Sequence, residues 1–582
     1  METKDNNNVT VELKDSPDDI NTAEINSNIL DRANLTSKEF RFLWAGILLH
    51  AFTYSFEVCL IQGIMGYVTA FFTVTSLASI LPTILQILAA ALVPFYTKVS
   101  DVFGRAGSMT YAIVTYLMGL VIEGTATSFV QFAVGQIFYG MGLTGIQTLS
   151  QVLIADTTLL VDRGLMFAIW DLGSAINIWV AQVLIDPLTL HGAKDKWRLG
   201  YLLMGICCLI GAIALLSPLW YIQIQSSRRQ KLNASQRQQQ QPQQPRKTLR
   251  WLLHEFDAVG ALLITLGLSL TLLPMILAKS YEGNWRNGKI LAMFVSGIVA
   301  FIVLGIWETK FTDRPIMSMK IWSNRTAFGG LMIIFLLKVM GYVNWMYLTV
   351  YLVVSRDITY GQSFLLVRGF QMAWMVFQLL TGFLMKRYNT CRPFAWVGVV
   401  VYVIGVGLMI PARAPSASDA FVVISQAIAG AGGGMAHIAA SVIVTGVVQK
   451  KDIATVIGAS QILISFGAAI GNAMAGGIWT QYLPMRLKEH IVGAYDERLA
   501  MNDPLKYIKN LEPVMKGQLI EAYGDAQKLM SIICCCVAAL ALICAAMLKH
   551  VDLYQDQATQ DRLASGEDVK EQQEEKVVDE KH

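Results

Sequence analysis

The sequence predicts an all-α membrane protein with about fourteen transmembrane helices. Apolar stretches recur from Leu43 to Leu548, most of them near the roughly 20 residues a helix needs to cross hydrocarbon. Ile290–Ile306, Gly329–Val354, Trp396–Ile410 and Leu529–Leu548 are clear cases. Of 582 residues, 54% are hydrophobic and only 15% charged. The charge is also segregated into tails and loops, as expected where lipid forces every backbone group to bond within its own helix.

The elements follow in order. Met1–Phe40 is polar and acidic with no apolar core, so a cleavable signal peptide is not expected, and residues 1–42 read as a disordered tail. Six spans follow, at 43–63, 77–97, 109–127, 130–154, 165–186 and 200–222, making an N-terminal bundle over 43–222. Residues 223–256 are basic and include the glutamine run Gln236–Gln244, the composition of a flexible linker between two halves. Seven spans then fall at 257–277, 289–307, 327–354, 362–385, 394–411, 420–447 and 455–480, so that 257–480 holds helices seven to thirteen. A polar stretch at 481–528 reads as a loop, with short helices expected over Pro504–Met515 and Gly517–Tyr523. The last span is 529–548, and 549–582 is an acidic tail.

Lys and Arg in short loops set the orientation. One set of loops carries Lys98, Arg105, Arg163, Arg228, Arg229, Lys231, Lys310, Arg314, Lys320, Arg325, Lys386, Arg387, Arg392, Lys450 and Lys451, among others. The opposite set, with Lys194, Lys196, Arg198, Lys279, Arg286, Lys289, Arg356 and Arg413, holds fewer than half as many. The first set is therefore expected in the cytosol together with both termini, and 481–528 outside. The sequons at Asn8, Asn34, Asn233 and Asn324 then lie on the cytosolic side and are expected to be unglycosylated.

Composition excludes several function classes. A net charge of +4 is a small difference between large numbers and implies no nucleic-acid partner. The eight cysteines lie mostly in apolar runs, and adjacent Cys534, Cys535 and Cys536 point in three directions on a helix, so neither a disulfide framework nor a metal site is expected. No phosphate-binding loop of the G-x-x-x-x-G-K-[ST] type occurs, no nucleophile, base and orienting group stand at a recognisable spacing, and no cofactor is implied. The function is expected in polar residues held inside the membrane, with lipid as surroundings and a single chain as the working unit.

Those residues can be named, since ionisable groups within apolar helices are costly and usually functional. Glu57 is the first proton-carrier candidate, followed by Glu123 and by His437, which succeeds the glycine run Gly430–Gly434. Lys338 and Arg368 are cationic candidates for an anionic or hydroxamate-bearing ligand, Arg368 offering a bidentate fork. Trp345, Tyr347 and Gln371 join them as candidate walls of a roomy cavity, and Gln147 and Gln151 sit one turn apart on one helix face. Asp171 reads as a partner for Arg163 or as part of a gate. For Glu57, Glu123, Lys338 and His437 the plainer alternatives are structural bonding, snorkelling or packing.

The loop after the second span reads Ser100-Asp101-Val102-Phe103-Gly104-Arg105. It resembles the D-x-x-G-R signature of the major facilitator superfamily, in which Asp101 and Arg105, separated by the Gly104 turn, pin two helices. Asp156 and Asp162-Arg163-Gly164 follow the fourth span as a second element of this gate. Together with Trp197-Arg198-Leu199-Gly200, Gly432-Gly433-Gly434 and the run Gly476-Gly477-Ile478-Trp479-Thr480-Gln481-Tyr482-Leu483-Pro484, they make the chain similar to the fungal siderophore-iron transporters, with their haem-transporting and glutathione-exchanging relatives. Thr97 stands where the superfamily usually has a glycine, Glu57 where relatives commonly carry an aspartate, Ile61 where some carry an arginine, and Met346 where an acidic residue occurs.

The resemblance implies a major facilitator superfamily fold of twelve core helices plus two, and a proton-coupled carrier in the plasma membrane, with endosomal or vacuolar membranes as alternatives. It implies import of ferric siderophores or a related iron chelate. A potential of about 100 mV supplies roughly 2.3 kcal/mol per charge, and two pH units add about 2.7 kcal/mol. One proton then supports accumulation on the order of 10³-fold. Haem import, export of glutathione or another small solute, and a non-transporting nutrient receptor are the competing readings. Leu172–Val183 lacks the proline that drug antiporters usually carry in the fifth helix, which counts against drug export.

Overall fold

A computed structural model describes residues 36–551 apart from 73–78, 190–195, 237–256, 313–318, 449–452, 494, 503–506, 509–510 and 550. Among the described residues, fourteen helices are long and apolar enough to cross a membrane. They are α1 (Ser37–Phe71), α2 (Ile80–Phe103), α3 (Arg105–Gly124), α4 (Phe129–Thr157), α5 (Leu160–Thr189), α6 (Lys196–Gln236) and α7 (Ala258–Leu277). The second half comprises α8 (Gly288–Lys310), α9 (Arg325–Trp345), α10 (Tyr360–Tyr388), α11 (Arg392–Ala412), α12 (Asp419–Gly446), α13 (Ile453–Gly477) and α14 (Pro513–Ala546).

Local chemistry fixes where several of them begin. Ser128 accepts from the Gln131 amide to start α4, Ser418 from Phe421 to start α12, and Asn324 from Thr326 and Ala327 to start α9. Thr359 and Gln362 form a reciprocal capping box on α10. Between α2 and α3 the chain turns on Gly104 alone, at φ 85°, a left-handed conformation that side-chain-bearing residues rarely adopt.

The helices sort into two bundles. In one, α1 packs on α5 and α6, α3 on α4 and α6, and α2 on α4. In the other, α12 packs between α10 and α11, while α9 contacts α12, α13 and α14, and α11 contacts α14. Two long seams join the bundles, α5 against α10 and α2 against α13. The pair α7 and α8 belongs to neither. α7 lies on α2 and α13 through a separate apolar cluster that includes Ile87, Val93, Leu268, Leu272, Ile462 and Ala473, and α8 rests on α7.

Close packing of α12 explains its glycines. An added Cβ on Gly430 would lie 2.1 Å from the Phe370 carbonyl oxygen, and one on Gly434 2.2 Å from that of Trp374. α12 and α10 therefore touch backbone to backbone, as small residues permit within membranes.

Several expected boundaries differ. α6 continues to Gln236, well past the expected end at 222, because Gln, Lys and Arg sustain a helix once it leaves hydrocarbon; the rest of the expected linker, the tails 1–35 and 552–582 and the sequons Asn8 and Asn34 lie outside the described residues. The stretch expected as a loop at 481–528 is largely helical. α13 passes through a π-turn at Ile478–Tyr482 into Leu483–His490, a short helix covers Glu497–Asn502, and α14 begins at Pro513. Gly517–Tyr523 and Pro513–Met515 are thus part of α14, while 504–506 and 509–510 of the other expected short helix lie outside the described residues. Polar residues hold these extensions together: Asp525 of α14 receives His490 at 3.0 Å and Arg486 at 3.4 Å. The ninth span, expected as continuous over 327–354, breaks at Met346 and Tyr347 before resuming at Leu348–Arg356.

Candidate functional site

The polar residues inside the helices form three groups along the bundle axis. The first lies where α2 meets α3, here termed the motif end. Arg105 donates through Nε to Asp156 Oδ2 at 3.1 Å, both side chains almost fully buried, and also to the Ser100 hydroxyl. Arg105 is thereby tied to the end of α4; the Asp101 side chain, and with it the expected Asp101–Arg105 pin, lies outside the described residues. Gln223 of α6 clasps the Gly104 turn, accepting from the Ala106 amide at 3.0 Å and donating to the Phe103 carbonyl at 3.4 Å. Arg163 is buried beside this pair, within electrostatic reach of Asp156. Across the seam, Lys386 of α10 pairs with Asp162 of α5 at 2.6 Å and closes the two bundles together.

The second group lies inside the first bundle. Glu57 of α1 is fully buried, and its Oε2 accepts from the Tyr116 hydroxyl of α3. Tyr116 stacks on Tyr139 of α4 at 5.3 Å between centroids. Glu123 is equally buried, packed against α4 at Gly135. Both carboxyl groups therefore sit behind the bundle face, away from the seam.

The third group lies between the bundles. Arg368 of α10 donates to Gln62 Oε1 of α1 at 2.8 Å and to Gln371, with Phe364 packed 4.3 Å from its guanidinium. Trp345 donates to Gln426 Oε1 at 2.9 Å, and its ring meets Phe370, which in turn contacts Trp374. Lys338 Nζ stands 5.3 Å over the Trp374 ring, and the His437 ring lies 5.3 Å from the same tryptophan. Asp171 of α5 accepts from Gln378 Nε2 of α10 at 2.9 Å, so its partner is the facing bundle and not Arg163. Gln147 is exposed and donates to the Tyr54 hydroxyl at 2.8 Å, while Gln151, one turn on, is half-buried.

Expectation and structure part at Tyr347. It is 1% exposed and stacks on Trp479 at 4.2 Å and 4°, with Tyr523 edge-on to that indole at 5.2 Å, so it is packed among aromatic rings of its own bundle. The helix break at Met346 rotates it there. Sequence reading also missed Gln62, Gln378, Tyr116 and Gln223. Each acts through a partner on a helix far along the chain, and an exposed or buried Gln or Tyr carries no periodic signal.

Two six-helix bundles joined along two seams, with a polar cleft between them and charged pins at one end, agree with the sequence motif. A family model described as Major Facilitator Superfamily matches residues 43–367 and 334–487. The chain belongs to the major facilitator superfamily. Among curated relatives, the siderophore iron transporter mirC of Emericella nidulans is 26% identical over 463 residues, covering 79% of this chain and 75% of that one. Siderophore iron transporter 2 of Schizosaccharomyces pombe is 28% identical over 461 residues, covering 77% and 76%. MFS siderochrome iron transporter C of Aspergillus fumigatus is 26% identical, covering 78% and 74%. Solved structures support the fold alone. A bacterial homologue of the lysosomal transporter Spinster, inward-facing and unoccupied, superposes with a TM-score of 0.51 at 13% identity, covering 90% of this chain and 99% of that one. A double-tryptophan variant of XylE gives 0.51 at 14% identity, with the same shares. In the terms of this superfamily, α7 and α8 of this facilitator are an addition to the twelve-helix core.

Proposed function

We propose that this facilitator imports ferric siderophores, or a related iron chelate, across the plasma membrane in symport with protons. The observation that carries the reading is Arg368: a guanidinium bound to Gln62 of one bundle and Gln371 of the other, packed on Phe364, on the helix that also carries Phe370 and Trp374. A delocalised cation beside aromatic walls suits a bulky ligand with carboxylate, hydroxamate or catecholate oxygens. The nature of the relatives, siderophore transporters over three quarters of their length, supports the same cargo.

Glu57 is the proton carrier in this reading, with Glu123 as its neighbour in the same bundle. Lys338, Gln147 and Gln151 line the ligand's path, and His437 serves proton movement beside Lys338. The motif end faces the cytosol, with both tails. Arg105, Asp156 and Arg163 brace the cytosolic gate, and the protein works as a monomer without enzymatic activity.

The test is uptake of radiolabelled iron chelates into cells lacking other carriers, with and without an uncoupler. Concentrative, uncoupler-sensitive uptake is expected. Glu57→Gln is expected to abolish accumulation, by at least tenfold, while surface expression stays at the wild-type level. Thiol-peptide efflux with no chelate uptake would overturn the assignment in favour of an exchanger.

A further inference from the structure

Between the bundles stands a carboxylate, Asp171, on the opposite side of the seam from Lys338. Both are tied to one face of α10. Asp171 is bonded to Gln378, Lys338 stands over Trp374, and these two α10 residues are one turn apart, which places their side chains side by side. The carboxylate and the ammonium lie within electrostatic reach of each other. Asp171 comes from the first bundle, while Lys338 and Gln378 come from the second. Asp171 is half-buried, whereas Glu57 is fully buried.

We propose that Asp171 and Lys338 form an electrostatic latch between the bundles, released when Asp171 takes up a proton. This rests on the proton-symport reading above and adds a second protonation site to it. While Asp171 is an anion it accepts from Gln378 and attracts Lys338, holding α5, α9 and α10 together at mid-depth. A proton on Asp171 turns the charge pair into a charge–dipole contact. Lys338 is then left with the Trp374 ring and is free for the negative oxygens of a ligand, so that proton and anion binding favour each other. The other titratable or charged groups around the pair are Tyr342 of α9, His437 of α12, Tyr54 of α1 with Glu57 one turn away, Arg163 two turns along α5, and Arg368 higher on α10.

The test reads conformation, not transport, so it can fail while chelate uptake stands, and the reverse. Full-length protein in lipid nanodiscs carries spin labels in place of Phe103 and Tyr388, exposed residues at the motif ends of α2 and α10. Distance distributions are recorded at pH 5 and pH 8 without ligand. The wild type is expected to change its ratio of conformers by about tenfold between the two, within the usual range of site-to-site coupling. D171N is expected to give the acid-form ratio at both values, as is K338M, while D171E and K338R keep the pH response. A wild type insensitive to pH, or a D171N protein that responds like the wild type, overturns the latch. If D171N does not fold, the K338M and K338R pair decides on the same criterion.

Discussion

Glu57 is a fully buried carboxyl group that accepts from a phenol, Tyr116 of α3. Leaving such a group without its donor costs about 1–3 kcal/mol. Tyr116→Phe, which removes the hydroxyl and keeps the ring stacked on Tyr139, is therefore expected to lower the melting temperature in detergent and to slow chelate uptake several-fold. A Y116F protein with wild-type melting and uptake would mean that the hydroxyl does not hold the carboxyl group. At this scale the sequence was half legible. A charge in an apolar run identifies Glu57, Glu123, Lys338 and Arg368 by its cost alone. Tyr116 and Gln62, which bond Glu57 and Arg368, are neutral side chains brought from 59 and 306 residues away along the chain, and nothing in the local pattern distinguishes them from other interfacial tyrosines and glutamines. Tyr347 failed for a related reason: a helical wheel assumes an unbroken helix, and α9 breaks one residue before it.

Among the elements, the helices themselves were legible because hydrophobic length is a direct consequence of bilayer thickness, and all fourteen spans correspond to helices. Their ends outside the lipid were not, because polar residues continue a helix into water without any hydropathy signal, as at Gln236 and Pro513. The glycines of α12 offer a controlled test of element packing. Gly430→Ala places a methyl group against a backbone carbonyl of α10 that cannot swing away, so a loss of about 1–3 kcal/mol is expected, as for other overpacked sites. Gly407 of α11 has nothing within 4 Å of its would-be Cβ, and Gly407→Ala is expected to be neutral or to stabilise by about 0.5–1 kcal/mol through helix propensity. Thermal unfolding of the two variants in the same detergent checks both; equal melting temperatures would remove the backbone contact between α12 and α10 as a source of stability.

For the whole molecule, alternation between two faces requires that the contacts closing each end be weak enough to break in turn. At the motif end, α5 and α10 are joined by Asp162 and Lys386, and the lysine side chain is 46% exposed. An ion pair so wetted contributes about 0.2–1 kcal/mol, which shifts a two-state equilibrium at most about fivefold. Lys386→Ala is therefore expected to raise the population open at the motif end by no more than that factor, read by the same label pair on α2 and α10. The charge-reversed double variant D162K/K386D is expected to restore the wild-type population. Salt separates this contact from the deeper one. Raising ionic strength to about 1 M shortens the screening length to about 3 Å, so it is expected to reproduce the effect of K386A in the wild type and to add nothing in K386A itself. The Asp171–Lys338 pair, enclosed between α5, α9 and α10, is expected to keep its pH response in the same salt. If salt instead erased the pH response and left K386A unlike the salted wild type, the division into a wet outer pin and an enclosed inner latch would be wrong.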